Sequence, residues 1–452
     1  MVPHPPLAVH EVGRGEEENI SASIRSYEKI AEEIAEIRPD TIIIASPHAT
    51  MYRDWFIVSA GEKGYGDFSR FRAKKVAFEK EYDTELTAAL SSYLEQSGFP
   101  GGCEHEGDPE LDHGTMVPLY FIDQKYKDYK LVRIGLSGLS LPMHYMLGMA
   151  VQKVVNDLNR KAVFIASGDL AHCQKEDGPY GYKPEGPQYD ERIMKTMGSA
   201  AFRELFDYDP AFLNACMECG HRSFVIMAGA LDRRSVKTKV LSHEATFGVG
   251  YGFVTFEDNG FDPERNFLEQ YEDAEKNRGA SDDPYVKLAV KSVNAWVTKR
   301  ERINAGADVP EELKQKKAGV FVSIHEFGEL RGCIGTISAA YGNIAEEIIM
   351  NGISACSRDP RFSPVTAEEL PYLQINVDVL GDAEVISDRN MLDPKRYGVI
   401  CSLPDGRRGL LLPDLEGVDT VEEQIDIACR KGGIDPEDDR LILERFEVIR
   451  HV

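Results

Sequence analysis

The sequence feature that most constrains the fold is an apolar run that passes directly into small residues, an acid and a histidine. Residues 162–173 read A-V-F-I-A-S-G-D-L-A-H-C. The apolar half is typical of a strand that is buried on both faces of a parallel sheet. Ser167 and Gly168 allow a tight turn, so Asp169 and His172 lie just past the strand, where open α/β sheets bind ligands. Alternatively, Asp169 caps a helix and His172 is a solvated histidine.

The same construction occurs earlier in the chain. Residues 41–46 read T-I-I-I-A-S, a second buried strand, and His48 follows it directly. Five isoleucines and Tyr27, spaced by three and four residues over 18–37, predict an amphipathic helix before that strand. Helix, strand and ligand-type residue in this order, used twice, predict an α/β N-terminal domain with a central sheet flanked by helices.

A stretch with few aliphatic residues and many charges divides the chain. It falls at residues 258–283, which we predict to be a linker with a short polar helix. The N-terminal domain is then 1–257 and the second domain 284–452. Shorter helices and alternating strands in the second part predict a smaller α+β domain.

Composition excludes several classes of partner. The formal net charge is −24, which argues against nucleic acid, because phosphate binding requires a basic surface. The sequence has no apolar run of membrane-spanning length and no pattern typical of a signal peptide. The chain has eight cysteines, which we expect to be reduced thiols. We therefore predict a cytoplasmic protein that acts on a small molecule, without a membrane partner; the oligomeric state stays open.

Two further histidines lie where apolar segments begin or end. His4 lies between prolines, and His113 lies in the run L-D-H-G-T. His4 is so close to the end of the chain that a frayed terminus is an alternative. Only residues 1–3 precede it, so either the start of the sequence is misplaced or a strand that could hold His4 is missing. Asp112 is also a candidate cap for the helix that follows, and both roles are compatible.

These loop histidines predict a metal site at one edge of the sheet. Two neutral imidazoles and one anionic ligand form the facial triad of non-haem Fe(II) enzymes. Glu218 and Cys219 are the candidate anionic ligands: a carboxylate favours Fe(II), whereas a thiolate favours Cu(I) or Zn(II). His172 suits a general acid/base, because its ordinary pKa is near about 6.5. Asp169 is a candidate to orient a histidine.

Five short motifs in this order give a family resemblance over about residues 1–257. They are P-H-P-P (3–6), S-P-H (46–48), D-H-G-T (112–115), S-G-D-L-A-H (167–172) and C-G-H (219–221). The N-terminal domain resembles the class III extradiol ring-cleaving dioxygenases of LigB type and their relatives, the Memo proteins.

The resemblance implies a role for each residue. His4 and His48 would be metal ligands, His172 the acid/base with Asp169 beside it, and His113 a wall of the substrate pocket. The third ligand is a glutamate in the dioxygenases and a cysteine in Memo proteins; the sequence aligns Cys219 there, with Glu218 as the alternative. The expected function is an Fe(II)-dependent oxygenase of catechol-like substrates, with Zn(II) or copper as alternative metals. The alternative is a Memo-like metalloprotein that binds or modifies a partner molecule.

The second domain resembles the AMMECR-type domain. Its signature is L-R-G-C-I-G at 330–335, supported by R-D-P-R-F at 358–362 and G-L-L-L-P at 409–413. Cys333 beside Arg331 is either an activated thiol or a small buried residue in a turn. The combination of the two domains implies a radical SAM protein as a partner.

Overall fold

The chain forms two compact units in a computed structural model that describes residues 1–103, 110–278, 281–367, 369–415 and 417–452. The units are Met1–Tyr271 and Glu272–Val452. The first is α/β and the second is rich in antiparallel strands, so the predicted fold class is confirmed. Among the residues described, no helix combines the length and the apolarity needed to cross a bilayer.

The first unit alternates helices with strands around a parallel sheet. Its described strands are β1 (Thr41–Ser46), β2 (Phe56–Ile57), β3 (Lys63–Phe68), β4 (Ala73–Glu81), β5 (Gly101–Gly102), β6 (Lys130–Gly135), β7 (Ala162–Ala166), β8 (Arg234–Glu244) and β9 (Tyr251–Phe261). Its described helices are α1 (His10–Gly13), α2 (Ser21–Ile37), α3 (Thr84–Gln96), α4 (His113–Ile122), α5 (Leu141–Asp157), α6 (Glu185–Ser199), α7 (Pro210–Cys216) and α8 (His221–Ala230). Helix α9 (Phe267–Arg278) begins in the first unit and ends in the second.

The central sheet has the strand order β6-β1-β7, and both pairings are parallel. Every residue of β1 is buried, which is why it reads as an unbroken apolar run. Since the strands run in the same direction, the loops that follow β1 and β7 emerge at one edge. The predicted strands at 41–46 and 162–166 are confirmed, but burial on both faces was wrong for the start of β7, where residues 162–164 are half-buried because β7 is the last of the three strands.

The first residues of the chain continue this sheet beyond β7. Val2 pairs with Ser167 in parallel: its N–H donates to the Ala166 carbonyl (3.0 Å), and Gly168 N–H donates to the Val2 carbonyl (2.9 Å). The Tyr27 hydroxyl donates to the Pro3 carbonyl. The expectation of a missing strand and a poorly held His4 was wrong, because this short pairing fixes the backbone directly before it.

Leu86, Leu90 and Leu94 on one face predict a helix over residues 80–98. The helix starts later than predicted, because β4, which pairs with β3 in a hairpin, continues to Glu81 and α3 begins at Thr84. The Asp83 carboxylate accepts from Leu86 N–H (3.2 Å) and so caps α3 at this point. The cap explains why the helix cannot start earlier.

The second unit contains two antiparallel four-stranded sheets, in the orders β11-β10-β12-β17 and β13-β16-β14-β15. Its described strands are β10 (Val320–Glu326), β11 (Glu329–Gly335), β12 (Leu373–Leu380), β13 (Glu384–Ile386), β14 (Gly398–Ser402), β15 (Arg408–Leu411), β16 (Ile442–Phe446) and β17 (Val448–His451). Its described helices are α10 (Pro284–Lys299), α11 (Glu311–Gln315), α12 (Ile344–Ser357) and α13 (Val421–Gly432). Helices α10 and α12 share one apolar core with the first sheet.

The segment predicted as a linker, residues 258–283, carries regular structure. Strand β9 extends to Phe261, and α9 buries Phe267 and Leu268. Residues 279 and 280 lie outside the described part of the chain. The division between the two units falls after Tyr271.

Candidate metal centre

Side chains from distant parts of the first unit meet at the edge of the central sheet where its parallel strands end. His48 follows β1, Asp169 and His172 follow β7, and His4 follows the short pairing of Val2 with Ser167. Cys219 lies just before α8. Parallel strand direction is what brings these loops together, as expected for open α/β sheets.

The imidazole of His4 is buried and fixed at its Nδ1. Ser167 Oγ donates its hydrogen to the Gly114 carbonyl (2.6 Å), so it accepts from His4 Nδ1–H at 2.9 Å. The hydrogen on Nδ1 leaves the lone pair of Nε2 free, which is the tautomer a metal ligand requires. Burial holds the pKa of His4 well below its usual value, so the ring is neutral at neutral pH.

Three donor atoms converge around His4 Nε2. It lies 2.9 Å from His48 Nε2 and 3.6 Å from Cys219 Sγ, and all three atoms lie within 4.8 Å of one another. Donors bound to one ion at about 2.0–2.3 Å are separated by about 3–3.6 Å. The spacing therefore fits a shared metal ion held by two imidazoles and one thiolate.

Glu218, the alternative third ligand, is directed elsewhere. Its Oε2 accepts from His221 N–H at 2.6 Å, which caps the first turn of α8. Burial raises the pKa of Glu218 to about 7. Among the residues described, Glu218 belongs to no cluster that could hold a metal, whereas Cys219 belongs to two. The geometry thus favours the thiolate over its neighbouring carboxylate.

Asp169 contacts two of the three residues whose donor atoms converge, His4 and Cys219. Its Oδ1 accepts from His4 N–H (2.7 Å), and its own N–H donates to Cys219 Sγ (3.3 Å). Burial raises the pKa of this carboxyl to about 6. The alternative that Asp169 caps a helix was wrong, because the next helix, α6, begins only at Glu185.

His172 faces the same site from the far end of that loop. Its ring stacks on Tyr180, with centroids 5.1 Å apart. Its Nε2 is buried and has no hydrogen-bond partner in the described part of the chain. Burial lowers the pKa of His172, so the ring can accept a proton at neutral pH. The alternative of a solvated histidine was therefore wrong.

Tyr180 lies in a polar segment, residues 174–188, whose glycines, prolines and tyrosines predict a surface loop or lid. The structure has no helix or extended strand over 174–184, and α6 starts at Glu185. The aromatic face of Tyr180 covers His172, although half of the tyrosine side chain remains exposed.

His113 forms a wall beside the triad. Its ring lies 4.0 Å from that of His48 and 5.4 Å from those of His4 and Phe71. Burial lowers the pKa of His113 to about 3. Asp112 caps α4 by accepting from Thr115 N–H (3.0 Å). Asp112 thus acts as the helix cap while its neighbour His113 lies beside the donor atoms, and the two roles are compatible as expected.

The sequence did not single out the residues that orient these groups. Ser167 fixes His4, and Ser46 donates to Asp112 Oδ1 (2.5 Å). Each serine comes at the end of a strand, two or five residues before a singled-out histidine, which was the available signal. Gly168 and Gly220 let the two site loops touch: a Cβ on Gly168 would lie 2.0 Å from Gly220 Cα.

The thiol of Cys333 lies in the second unit, on strand β11 rather than in a turn. Ser323 Oγ donates to its Sγ (3.3 Å), and Asp359 Oδ2 accepts from its N–H (2.9 Å). Arg331 pairs with Glu369 at 2.6 Å. It is Arg361, not Arg331, whose guanidinium reaches the Cys333 carbonyl (3.3 Å).

Comparison with known families covers nearly the whole chain. Residues 1–254 match the family described as the catalytic LigB subunit of aromatic ring-opening dioxygenase. Residues 286–451 match the AMMECR1 family. Both resemblances inferred from the short motifs are confirmed.

Similar proteins come from bacteria and archaea. A protein of Clostridium acetobutylicum is 44% identical and spans 100% of this chain and 98% of its own length. A protein of Thermotoga maritima is 48% identical over 37% of this chain and 97% of its own length. The crystal structure of an uncharacterized protein from Pyrococcus horikoshii is 30% identical, covers 37% of this chain and 88% of that one, and has a TM-score of 0.35.

Proposed function

Because the chain belongs to the LigB family and carries an AMMECR1 domain at its C-terminal end, we propose that its first unit is a metal-dependent oxygenase. The substrate would be a small catechol-like or other aromatic molecule. One observation carries the proposal: His4, His48 and Cys219 offer three donors around one point, and Cys219 also lies beside His172, whose buried Nε2 has no hydrogen-bond partner in the described part of the chain.

The donor set suits a transition metal ion. Two neutral imidazoles and one thiolate bind Fe(II), Zn(II) and copper, and a metal-bound thiol loses its proton. Fe(II) is the ion that the oxygenase requires, since it lets O₂ react with an electron-rich ring. The hydrogen bond of Ser167 to His4 orients the ligand and keeps its Nε2 available.

The neighbouring side chains would handle substrate and protons. His172 is the base for a ring hydroxyl, because its Nε2 is free and its lowered pKa keeps it neutral at neutral pH. Asp169 fixes the loop that carries His172 by accepting from His4 N–H. His113 and Phe71 offer ring faces to a planar substrate, and Tyr180 screens His172 from water.

A second candidate function is favoured by the identity of the third ligand. Cys219 Sγ lies 3.6 Å from His4 Nε2, while Glu218 caps α8. A thiolate favours Zn(II) or Cu(I) over Fe(II). The alternative is a Memo-like metalloprotein that does not cleave rings but binds or modifies a partner molecule together with the AMMECR1 domain, in concert with a radical SAM protein.

Metal reconstitution separates the two functions. The full chain is purified anaerobically, its metals are measured, and it is loaded with Fe(II) before O₂ uptake is followed over a panel of catechols. Bound iron with catechol-dependent uptake, abolished in His172→Ala but kept in the exposed-site control His10→Ala, supports the oxygenase. Tight Zn(II) or copper binding with no uptake across the panel supports the second function.

A further inference from the structure

A second group of donor atoms shares Cys219 with the triad already described. Asp169, His172 and Cys219 each offer one ligand atom, and these atoms lie within 4.8 Å of one another. The donors at this edge thus form two groups that share the Cys219 sulfur. Only that sulfur belongs to both groups.

The free bonding capacity in the second group points to a ligand. The buried Nε2 of His172 has no hydrogen-bond partner among the residues that the structure describes. Asp169 Oδ1 accepts from His4 N–H, which leaves Oδ2 available. An unpaired buried nitrogen is unfavourable, so a group that binds it is stabilising.

One ion cannot use both groups in this arrangement. Nitrogen, oxygen and sulfur donors bind a divalent transition metal at about 2.0–2.3 Å, so two donors of one ion lie no more than about 4.6 Å apart. The five ligand atoms are not gathered in one such group in the described part of the chain. A sulfur shared by two groups is, however, the arrangement in which one thiolate can bridge two ions.

We propose that Asp169, His172 and Cys219 form a second metal site, and that the Cys219 thiolate bridges the two ions. This inference rests on the proposed function, because the first ion is the one held by His4 and His48. The donor set of one oxygen, one nitrogen and one sulfur suits borderline cations such as Zn(II) and Co(II). A cation there occupies His172, so a second equivalent of metal removes the base that the oxygenase needs.

Cobalt titration of the metal-free full chain under anaerobic conditions tests the proposal. Co(II) is added to wild type and variants, and bound metal is counted by native mass spectrometry and by the thiolate-to-cobalt absorption. Wild type and the control His10→Ala are expected to bind two equivalents. His48→Ala is expected to keep only the second ion, and His172→Ala only the first. Asp169→Asn retains the Oδ1 acceptor for His4 N–H, so it provides a second, milder loss of the new site if His172→Ala fails to fold.

Each outcome distinguishes this inference from the proposed function. Two equivalents in wild type and one in His172→Ala or Asp169→Asn support the second site. A single equivalent in wild type that His172→Ala leaves unchanged overturns the second site and leaves the first standing. If both variants still bind two equivalents, the second ion lies elsewhere and the proposed second site is overturned. Failure of wild type to bind any ion overturns both.

Discussion

The Nε2 atoms of His4 and His48 lie 2.9 Å apart, although the two residues are 44 positions apart in the sequence. Two nitrogens at this separation either share a proton or bind a common cation. Ser167 holds the hydrogen of His4 on Nδ1, away from this contact. The lone pair of His4 Nε2 thus accepts a hydrogen from His48 Nε2 in the metal-free protein or binds a cation, and the first prediction follows from the second of these.

We expect His4→Ala and His48→Ala each to bind about one equivalent of metal less than wild type under anaerobic loading with Fe(II) or Zn(II), measured by elemental analysis. Each change removes one of three donors from the same ion. The exposed histidine variant His10→Ala is the control and should load fully. Full loading of either site variant would contradict the assignment.

Cys219→Ala and Glu218→Ala are expected to have opposite effects. The cysteine variant loses metal and keeps its helix. The glutamate variant keeps metal but is less stable by ~1 kcal/mol, because His221 N–H loses its cap. Metal content and thermal unfolding of both variants give the answer. Loss of metal from the glutamate variant alone would restore the carboxylate as third ligand.

Ser167→Ala should weaken metal binding without removing a ligand. The variant takes away the acceptor for His4 Nδ1–H, so the tautomer and the ring orientation are no longer fixed. Loss of such an orienting partner lowers metal affinity by ~10–100-fold. Competition with a chromophoric chelator measures the metal affinity. Ser167→Thr, which keeps the hydroxyl, is the control. Unchanged affinity in the alanine variant would show that Ser167 has no orienting role.

Gly168→Ala is expected to destabilise the first unit by ~1–3 kcal/mol. Its new Cβ would lie 2.0 Å from Gly220 Cα, and two backbones cannot separate without moving Cys219. Gly352→Ala is a suitable control, because its Cβ would meet Val293 Cγ2 at an ordinary 3.5 Å. Thermal unfolding, monitored by circular dichroism, compares the two variants with wild type. Equal melting profiles would show that the two loops can separate freely.

Asp359 should make the stability of the second unit depend on pH in the acidic range. Arg361 holds the pKa of this carboxyl at about 2, below its ordinary 3.8. A lowered pKa contributes stability that is complete above pH ~4 and is lost as the pH falls towards 2. We expect Asp359→Asn to cost about 1 kcal/mol at pH 7, after allowance for solvent screening, and nearly nothing near pH 2. Urea unfolding at both pH values tests this, and a constant difference would contradict it.

Local sequence was sufficient to predict the central strands and the residues that follow them. The runs at 42–45 and 162–166 are apolar throughout, and that pattern is typical of a strand in a parallel sheet that is covered by helices. Small residues at each strand end then require a turn. The parallel direction places both turns at one edge, so the convergence of His48 and His172 could be inferred before the structure was known.

Tertiary structure alone decided how those residues are used. Glu218 and Cys219 are adjacent, and no sequence pattern separates them; the start of α8 consumes the carboxylate and leaves the thiol facing His4. His4 is held only because Val2 pairs with Ser167 far along the chain. The role of each residue depends on long-range hydrogen bonds between segments that contact each other only after folding. The sequence by itself therefore determined which residues could form the site, and only the tertiary structure decided which atoms each of them contacts.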